Sequence, residues 1–387
     1  MHIILFDLPE DRIKLFPLTL TRPISHIRVG ILTILEKWKY YFPNIEITVS
    51  TADYLHTKFK KAEIKDELLW INAGVLPDKL LFESLEKLKN GHSLNQAGKL
   101  IAFRGGNLDG YITSEKANYS EIISVISRSW DIFQLNGAQI TSDYQLITKG
   151  RKSEIISDQH TKTYGSDIFL EKGATIKAAV LNAENGPIYL GKNAEIQEGA
   201  LIRGPFSLGE GSVVNMGAKM RGDTTVGPFC KVGGEISNTV IFGYSNKGHG
   251  GFIGNAVIGE WCNFGADTNN SNLKNNYTEI KMWDFEKEGF LDTGLQFCGL
   301  VMGDHSKTGI NTMFNSGTTV GVSANIFGPG FPRTYIPSFS WGGAGGFESY
   351  NIEKALDTAR LVVERRKLSL TEEDKAILTH IFENYSF

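Results

Sequence analysis

Residues 190–232, LGKNAEIQEGALIRGPFSLGEGSVVNMGAKMRGDTTVGPFCKV, carry an apolar side chain at every sixth place: Leu190, Ile196, Ile202, Leu208, Val214, Met220, Val226 and Val232. In a chain that is 41% hydrophobic, such a run arises by chance about once in a thousand starting positions, which marks an internal repeat. The residue two places before each is mostly small (Ala194, Ala200, Ser212, Ala218, Thr224, Cys230), leaving room for the apolar residue to turn inward. The pattern returns at Ile258 and Phe264, then at Met302, Thr308, Phe314, Val320 and Ile326. Helices repeat near 3.6 residues and flat strands at 2, so a period of six predicts a coiled parallel β-solenoid in which each hexad forms one short side.

Three hexads close one triangular coil, so residues eighteen apart stack on one corner. Gly191, Gly209 and Gly227 do so, as at a corner whose backbone excludes Cβ. Arg203 and Arg221 do so too. Two stacked guanidinium groups repel unless an anion sits beside them, which reads as a phosphate site or, equally, as two solvated arginines on the solenoid face.

The solenoid is expected over 166–345, with two interruptions of the register at 233–251 and 268–300 that should project as loops and carry chemistry. Residues 1–128 read as an α/β domain, with strands at 3–6, 45–50 and 68–73 and helical periodicity at 30–42 and 79–89. The segment SWDIFQLN at 129–136 reads as a linker helix within a linker region reaching 165. Residues 346–387, with Leu356, Leu361 and Val362 on a charged segment, read as a C-terminal helical cap over the open end of the coil.

The 387 residues suffice for two or three cores, and a net charge of −3 gives no basic field for nucleic acid or an acidic membrane, so the expected partner is a small molecule. Cys230, Cys262 and Cys298 read as buried free thiols of a reducing cytosol, in place of a disulfide or zinc site, and no metal ligand set is read from the sequence. IILF at 3–6 is followed at once by Asp7, Pro9 and Glu10, a first strand and not a signal peptide, so a cytoplasmic protein is expected.

The stretch GYSNKGHGGFIGNAVIGEWCNFGADTNNSN at 243–272 resembles the acetyltransferase half of the bifunctional bacterial enzymes that acetylate glucosamine-1-phosphate and uridylylate the product. The likeness lies in a lysine-small-histidine run before an aromatic, an Ile-Gly hexad pair, and Asn-apolar-Gly-Ala ahead of an Asn-bearing turn. It covers 190–277 and, more loosely, residues up to 328. The resemblance implies a left-handed parallel β-helix, a homotrimer with sites shared between coils, and acetyl-CoA as co-substrate. It puts His249 at the general-base position, Asn263 at the amide that orients the acceptor, and Arg221, backed by Arg203, on the sugar phosphate. Gly265 and Ala266 fall where backbone meets the thioester and pantetheine arm. Phe252 stands where the family has a substrate-contacting tyrosine, and Gly233 and Gly234 replace its phosphate-binding lysine. Asn272 and Lys274 are expected to contact the acceptor, with Lys274 supplying charge near the displaced lysine. His305 is expected to be a corner residue. The chemistry suits the roles: an amine attacks a thioester only when neutral, and histidines titrate near neutral pH.

Residues 16–23, FPLTLTRP, with Arg28 and GILTILE at 30–36, resemble the start of sugar nucleotidyltransferases after their nucleotide loop, and WDIF at 130–133 recurs in their linkers. The Gly-rich turn after the first strand is missing, and LLWINAGVLP at 68–77 lacks the metal-binding aspartate, for which Asp7 or Asp78 would have to substitute. The domain therefore reads as a degenerate nucleotidyltransferase in which Arg12, Arg22 and Arg28 could still bind a nucleotide. Magnesium is needed only if that domain is active. Three functions follow: an N-acetyltransferase acting on an amino sugar, foremost an amino-sugar-1-phosphate, a sugar-1-phosphate nucleotidyltransferase with the solenoid as trimerisation scaffold, or a non-catalytic assembly module that binds sugar nucleotides.

Overall fold

The computed structural model describes residues 2–60 and 68–386. The strands of the N-terminal domain are β1 (His2–Phe6), β2 (Ile47–Ser50), β3 (Leu68–Asn72), β4 (His92–Gln96), β5 (Lys99–Gly105) and β6 (Glu115–Asn118). They form one sheet in the order β2-β1-β3-β5-β4-β6. β1 runs parallel to both neighbours and is buried along its whole length, because Ile3 and Leu5 face one core and Ile4 and Phe6 another. The helices are α1 (Pro9–Ile13), α2 (Ile34–Tyr41) and α3 (Lys79–Lys87). α2 starts where Thr33 and Glu36 form a capping box, and it buries Ile34 and Trp38 against the sheet.

The linker helix, α4, spans Asp131–Thr148 and is more than twice the length read from the sequence. Its buried face carries Asn136, Gly137 and Asp143 among the apolar residues, which breaks the amphipathic signal. Each polar group is used. Asn136 receives the Gly30 N–H and donates to Asp223 O, at 2.8 Å each. Asp143 pairs with the buried Lys37 and accepts the Ile31 N–H.

The solenoid is a left-handed parallel β-helix of about 10 turns, and its first strand is Lys162–Tyr164. Every predicted core residue from Leu190 to Val232 is at most 2% exposed. Face one includes Leu201–Arg203, Lys219–Met220 and residues 235–236; face two includes Thr224–Val226, 240–241 and Leu300–Met302; face three includes Lys231–Val232, Asn246–Lys247 and Lys307–Thr308. A Cβ on Gly209 would lie 2.5 Å from Gly227 C, and one on Gly191 2.7 Å from Glu210 N, so this glycine corner is set by close approach of successive coils.

The first interruption is not what the sequence suggested, and the second is so only in part. Residues 233–251 stay in the wall. One long strand, Glu235–Gly243, runs through a corner and pairs with both face one and face two, and the rung shortens because Lys231 pairs with Asn246 where Val213 had paired with Lys231. The second interruption begins later than read, since Asn269–Asn270 still pair with Met313–Phe314. The ejected segment forms a hairpin, Lys281–Asp284 with Gly289–Asp292, whose Ile280 and Met282 enter the N-terminal core.

Face two is covered by the N-terminal domain and α4, with Val240, Phe242, Val257 and Val301 in the same core as Leu69 and Ile71. The corner between faces two and three carries Phe229, Tyr244, Trp261 and His305 at φ of +56°, +53°, +61° and +61°. Side chains held at positive φ cost about 1 kcal/mol or more each. These rings recover part of that by stacking in a column, with Tyr244 and Trp261 centroids 4.3 Å apart. His305 is thus a corner residue, as expected.

α5 (Ile352–Glu364) and α6 (Glu372–Tyr385) flank this corner and do not close the coil's open end. They pack on Val322, Phe339 and Leu55, and the last face-three strand is instead covered by an antiparallel strand, Gly346–Ser349. The buried face of α5 is Ala355, Ala359 and Val363, whereas Leu361 is 55% exposed. The three cysteines are free and buried, and burial pushes each thiol up to about 12. No helix among the described residues is long and apolar enough to cross a membrane.

Candidate functional site

His249 lies at the corner between faces three and one, after Asn246–Lys247 and before Phe252–Glu260. Its side chain is exposed and makes no hydrogen bond or ion pair among the described residues, while the backbone beneath it is fastened throughout. Asn215 Nδ2 donates to Gly248 O at 2.8 Å, and Lys247 Nζ donates to His249 O at 2.8 Å and Gly250 O at 2.7 Å. Gly250 O also takes the Asp267 N–H, and Gly251 O the Glu235 N–H. The Lys247 side chain is buried to reach these carbonyls, and that desolvation pulls its ammonium down to about 8. The chain needs glycine here, because a Cβ on Gly234 would meet Gly251 O at 2.6 Å and His249 O at 2.9 Å. The result is a solvent-facing imidazole on a rigid base.

Face one falls away from this corner as a groove in two joined parts, of about 430 and 360 Å³. Arg203 and Arg221 line the first, Phe252 and Asn269 the second, and Lys219 and Glu235 both. Arg203 has no intrachain partner among the described residues, while Arg221 Nη1 donates to Glu235 Oε1 at 3.2 Å. The stacked arginines therefore form a cationic patch with one carboxylate competing for it. The Phe252 ring turns back over Gly254, close to Asn272, whose Nδ2 donates to Asn255 Oδ1 at 2.7 Å.

The other expected residues lie apart from this groove. Asn263 is on face three, bridged to Asn246 and Lys307, with its side chain exposed over a separate cleft. The Gly265 N–H is already donated to Thr308 O, and Ala266 O accepts from Asn311 N, so both are engaged in the ladder. Lys274 Nζ donates to Glu279 O within the ejected segment.

In the N-terminal domain the three arginines are engaged by contacts within the chain. Arg12 is 4% exposed and lies where β1 and β2 end, donating to Asp7 Oδ2 at 3.0 Å, Thr51 Oγ1 at 2.8 Å and Thr19 O at 2.6 Å. Burial raises the Asp7 carboxyl despite Arg12, and Asp7 Oδ1 is buried without a partner. Arg22 is equally buried and paired with Asp304 and Glu260 of the solenoid. Arg28 holds Phe242 O and Ile31 O. Asn72 accepts the Gly74 N–H to close the turn after β3, and Asp78 caps α3. These groups join the two domains or fill the end of the sheet, where a parallel sheet ordinarily receives its ligand.

Lys219, Glu235 and Asn269 were missed from the sequence, although a signal existed for the first. Lys219 immediately precedes the inward Met220, a position that must face outward on a strand.

Residues 3–152 match the sugar nucleotidyl transferase family. The chain is similar to a bifunctional sugar-1-phosphate nucleotidylyltransferase/acetyltransferase of Sulfurisphaera tokodaii, 35% identical over 144 residues, 37% of this chain and 35% of that one. It is also similar to the bifunctional protein GlmU of Methanocaldococcus jannaschii, 32% identical over 87 residues, 22% of this chain and 21% of that one. The chain thus spans about a third or less of the length of these curated relatives. Among solved structures, an Arabidopsis UDP-N-acetylglucosamine acyltransferase is 16% identical with a TM-score of 0.25, over 60% of this chain and 85% of that one. The polySia-specific acetyltransferase NeuO is 14% identical with a TM-score of 0.18, over 55% and 98%.

Proposed function

We propose that the protein is an acetyl-CoA-dependent N-acetyltransferase acting on an amino-sugar phosphate, with His249 as general base. The observation that carries this is the exposed, unpartnered imidazole on a fixed corner beside a groove whose far edge holds Arg203 and Arg221. The groove suits an acceptor whose phosphate meets the guanidinium groups while its amine approaches the histidine. His249 takes the proton as the amine nitrogen attacks the thioester carbonyl. The C–N bond forms, the tetrahedral intermediate collapses with cleavage of the C–S bond, and the imidazolium returns the proton to the departing sulfur, releasing the thiol. Asn263 faces a different side of the same chain, so its part in orienting the acceptor requires a second copy of the coil. That accords with the homotrimer implied by the resemblance. The likeness to the bifunctional sugar-1-phosphate nucleotidylyltransferase/acetyltransferase of Sulfurisphaera tokodaii supports the reading. A free-thiol release assay with acetyl-CoA against amino sugars and their phosphates tests it, and no turnover with any of them would refute it.

The family match over residues 3–152 favours a second activity, nucleotidyl transfer. The burial of Arg12 at the end of β1 opposes it, and our reading is that the N-terminal domain braces the solenoid without catalysing that reaction.

A further inference from the structure

A second cavity, of about 370 Å³, lies between face three and the C-terminal end of α5. Lys231, Lys307, Arg365 and Arg366 line it together with the amides of Asn246 and Asn263, and among the described residues no aspartate or glutamate does. In a chain of net charge −3, four cations without a carboxylate form a local concentration of positive potential, and their mutual repulsion costs stability until an anion enters.

The arrangement is built from two directions. Lys231, Asn246, Asn263 and Lys307 occupy one column of successive rungs. At about 4.8 Å per strand the column spans roughly 14 Å, room for more than one phosphate group. α5 brings Arg365 and Arg366 over it. Arg366 Nη2 is steadied by Asn246 Oδ1 at 3.0 Å, and Lys307 Nζ by His305 O at 2.7 Å. Lys231 and Arg365 have no intrachain side-chain partner among the described residues.

We propose that this cleft binds a small phosphate ester carrying at least two negative charges, held by the paired guanidinium groups and the lysine column. Guanidinium forks match phosphate oxygens, and the amides supply further donors that a carboxylate would not fill. The site gives the C-terminal helix a role in ligand binding, and it stands whether or not the chain transfers acetyl groups.

The test is calorimetric titration of the full chain with inorganic pyrophosphate, ADP and coenzyme A at low and moderate salt. The variant is Lys231→Ala/Arg365→Ala, both exposed, against Lys152→Ala/Lys177→Ala, which removes equal charge elsewhere. Pyrophosphate should bind the wild type and the control alike and the cleft variant at least tenfold more weakly, with the difference shrinking at higher salt. Tighter binding of coenzyme A than ADP would assign the site to an acyl carrier, and the reverse to a nucleotide; either order supports it. Equal affinity of all three proteins, or no binding of any of the three probes to the wild type, would overturn it.

Discussion

Lys247 Nζ lies 2.8 Å from the carbonyl oxygen of His249, two residues away, and 2.7 Å from that of Gly250. A lysine whose ammonium is buried to hold two carbonyls shapes the corner more than it contributes charge to a ligand. Lys247→Met should free those carbonyls, lowering kcat by roughly tenfold while acceptor KM stays within about twofold. Steady-state kinetics check this, and a change in KM alone would assign Lys247 to substrate binding.

On face one, Glu235 competes with any phosphate for Arg221. Arg221→Ala should raise the acceptor KM far more for a phosphorylated amino sugar than for the free sugar, whereas Glu235→Gln should lower it for the phosphorylated form only. Equal effects on both acceptors would remove the phosphate from this groove.

His305 contributes a pH dependence of stability. Burial pushes it down to about 3 from the ordinary 6.5, and its Nδ1 has no partner. The unfolded chain therefore binds more protons than the folded one between these values. The stability from this residue is complete above about 6.5 and is lost as the pH falls toward 3, amounting to roughly 2 kcal/mol already lost at about pH 5. Replacing it with phenylalanine extends the aromatic column of Phe229, Tyr244 and Trp261. Between about pH 7.5 and about pH 5, His305→Phe should lose several degrees less in Tm than the wild type. Identical losses by differential scanning calorimetry would show that the imidazole protonates freely in the folded protein.

The core of the solenoid was legible because burial enforces one apolar residue per side, and no position from Leu190 to Val232 departs from it. What the six-step pattern could not show is how a coil shortens. A corner that loses residues breaks the count without leaving the wall, so residues 233–251 read as a loop although Glu235–Gly243 is a strand. α4 was truncated for a related reason, since Asn136 and Asp143 are buried as hydrogen-bonding partners and look like surface residues in a string of letters. The stacked arginines were visible from spacing, whereas His249 was singled out by the resemblance, which also supplied their roles. That Arg12, Arg22 and Arg28 are occupied by the protein's own carboxylates and carbonyls depends on contacts up to 282 residues apart, which no local pattern encodes.

Nucleotidyl transfer should be weak or absent. The chain lacks a glycine-rich turn after β1, and Arg12, tied to Asp7 and Thr51, occupies the end of the sheet. Positioning and charge neutralisation of a triphosphate are lost together. Pyrophosphate release from each nucleoside triphosphate, with magnesium and a set of sugar-1-phosphates, checks this. Robust turnover would restore the domain as an enzyme.

The central claim is that His249 removes the proton from the attacking amine. The most direct measurement is thiol release from acetyl-CoA by wild type and His249→Ala on the best amino-sugar phosphate, alongside acetyl-CoA binding to both. Turnover should fall by about a hundredfold or more with acetyl-CoA affinity nearly unchanged. Unchanged turnover in the variant would contradict the assignment.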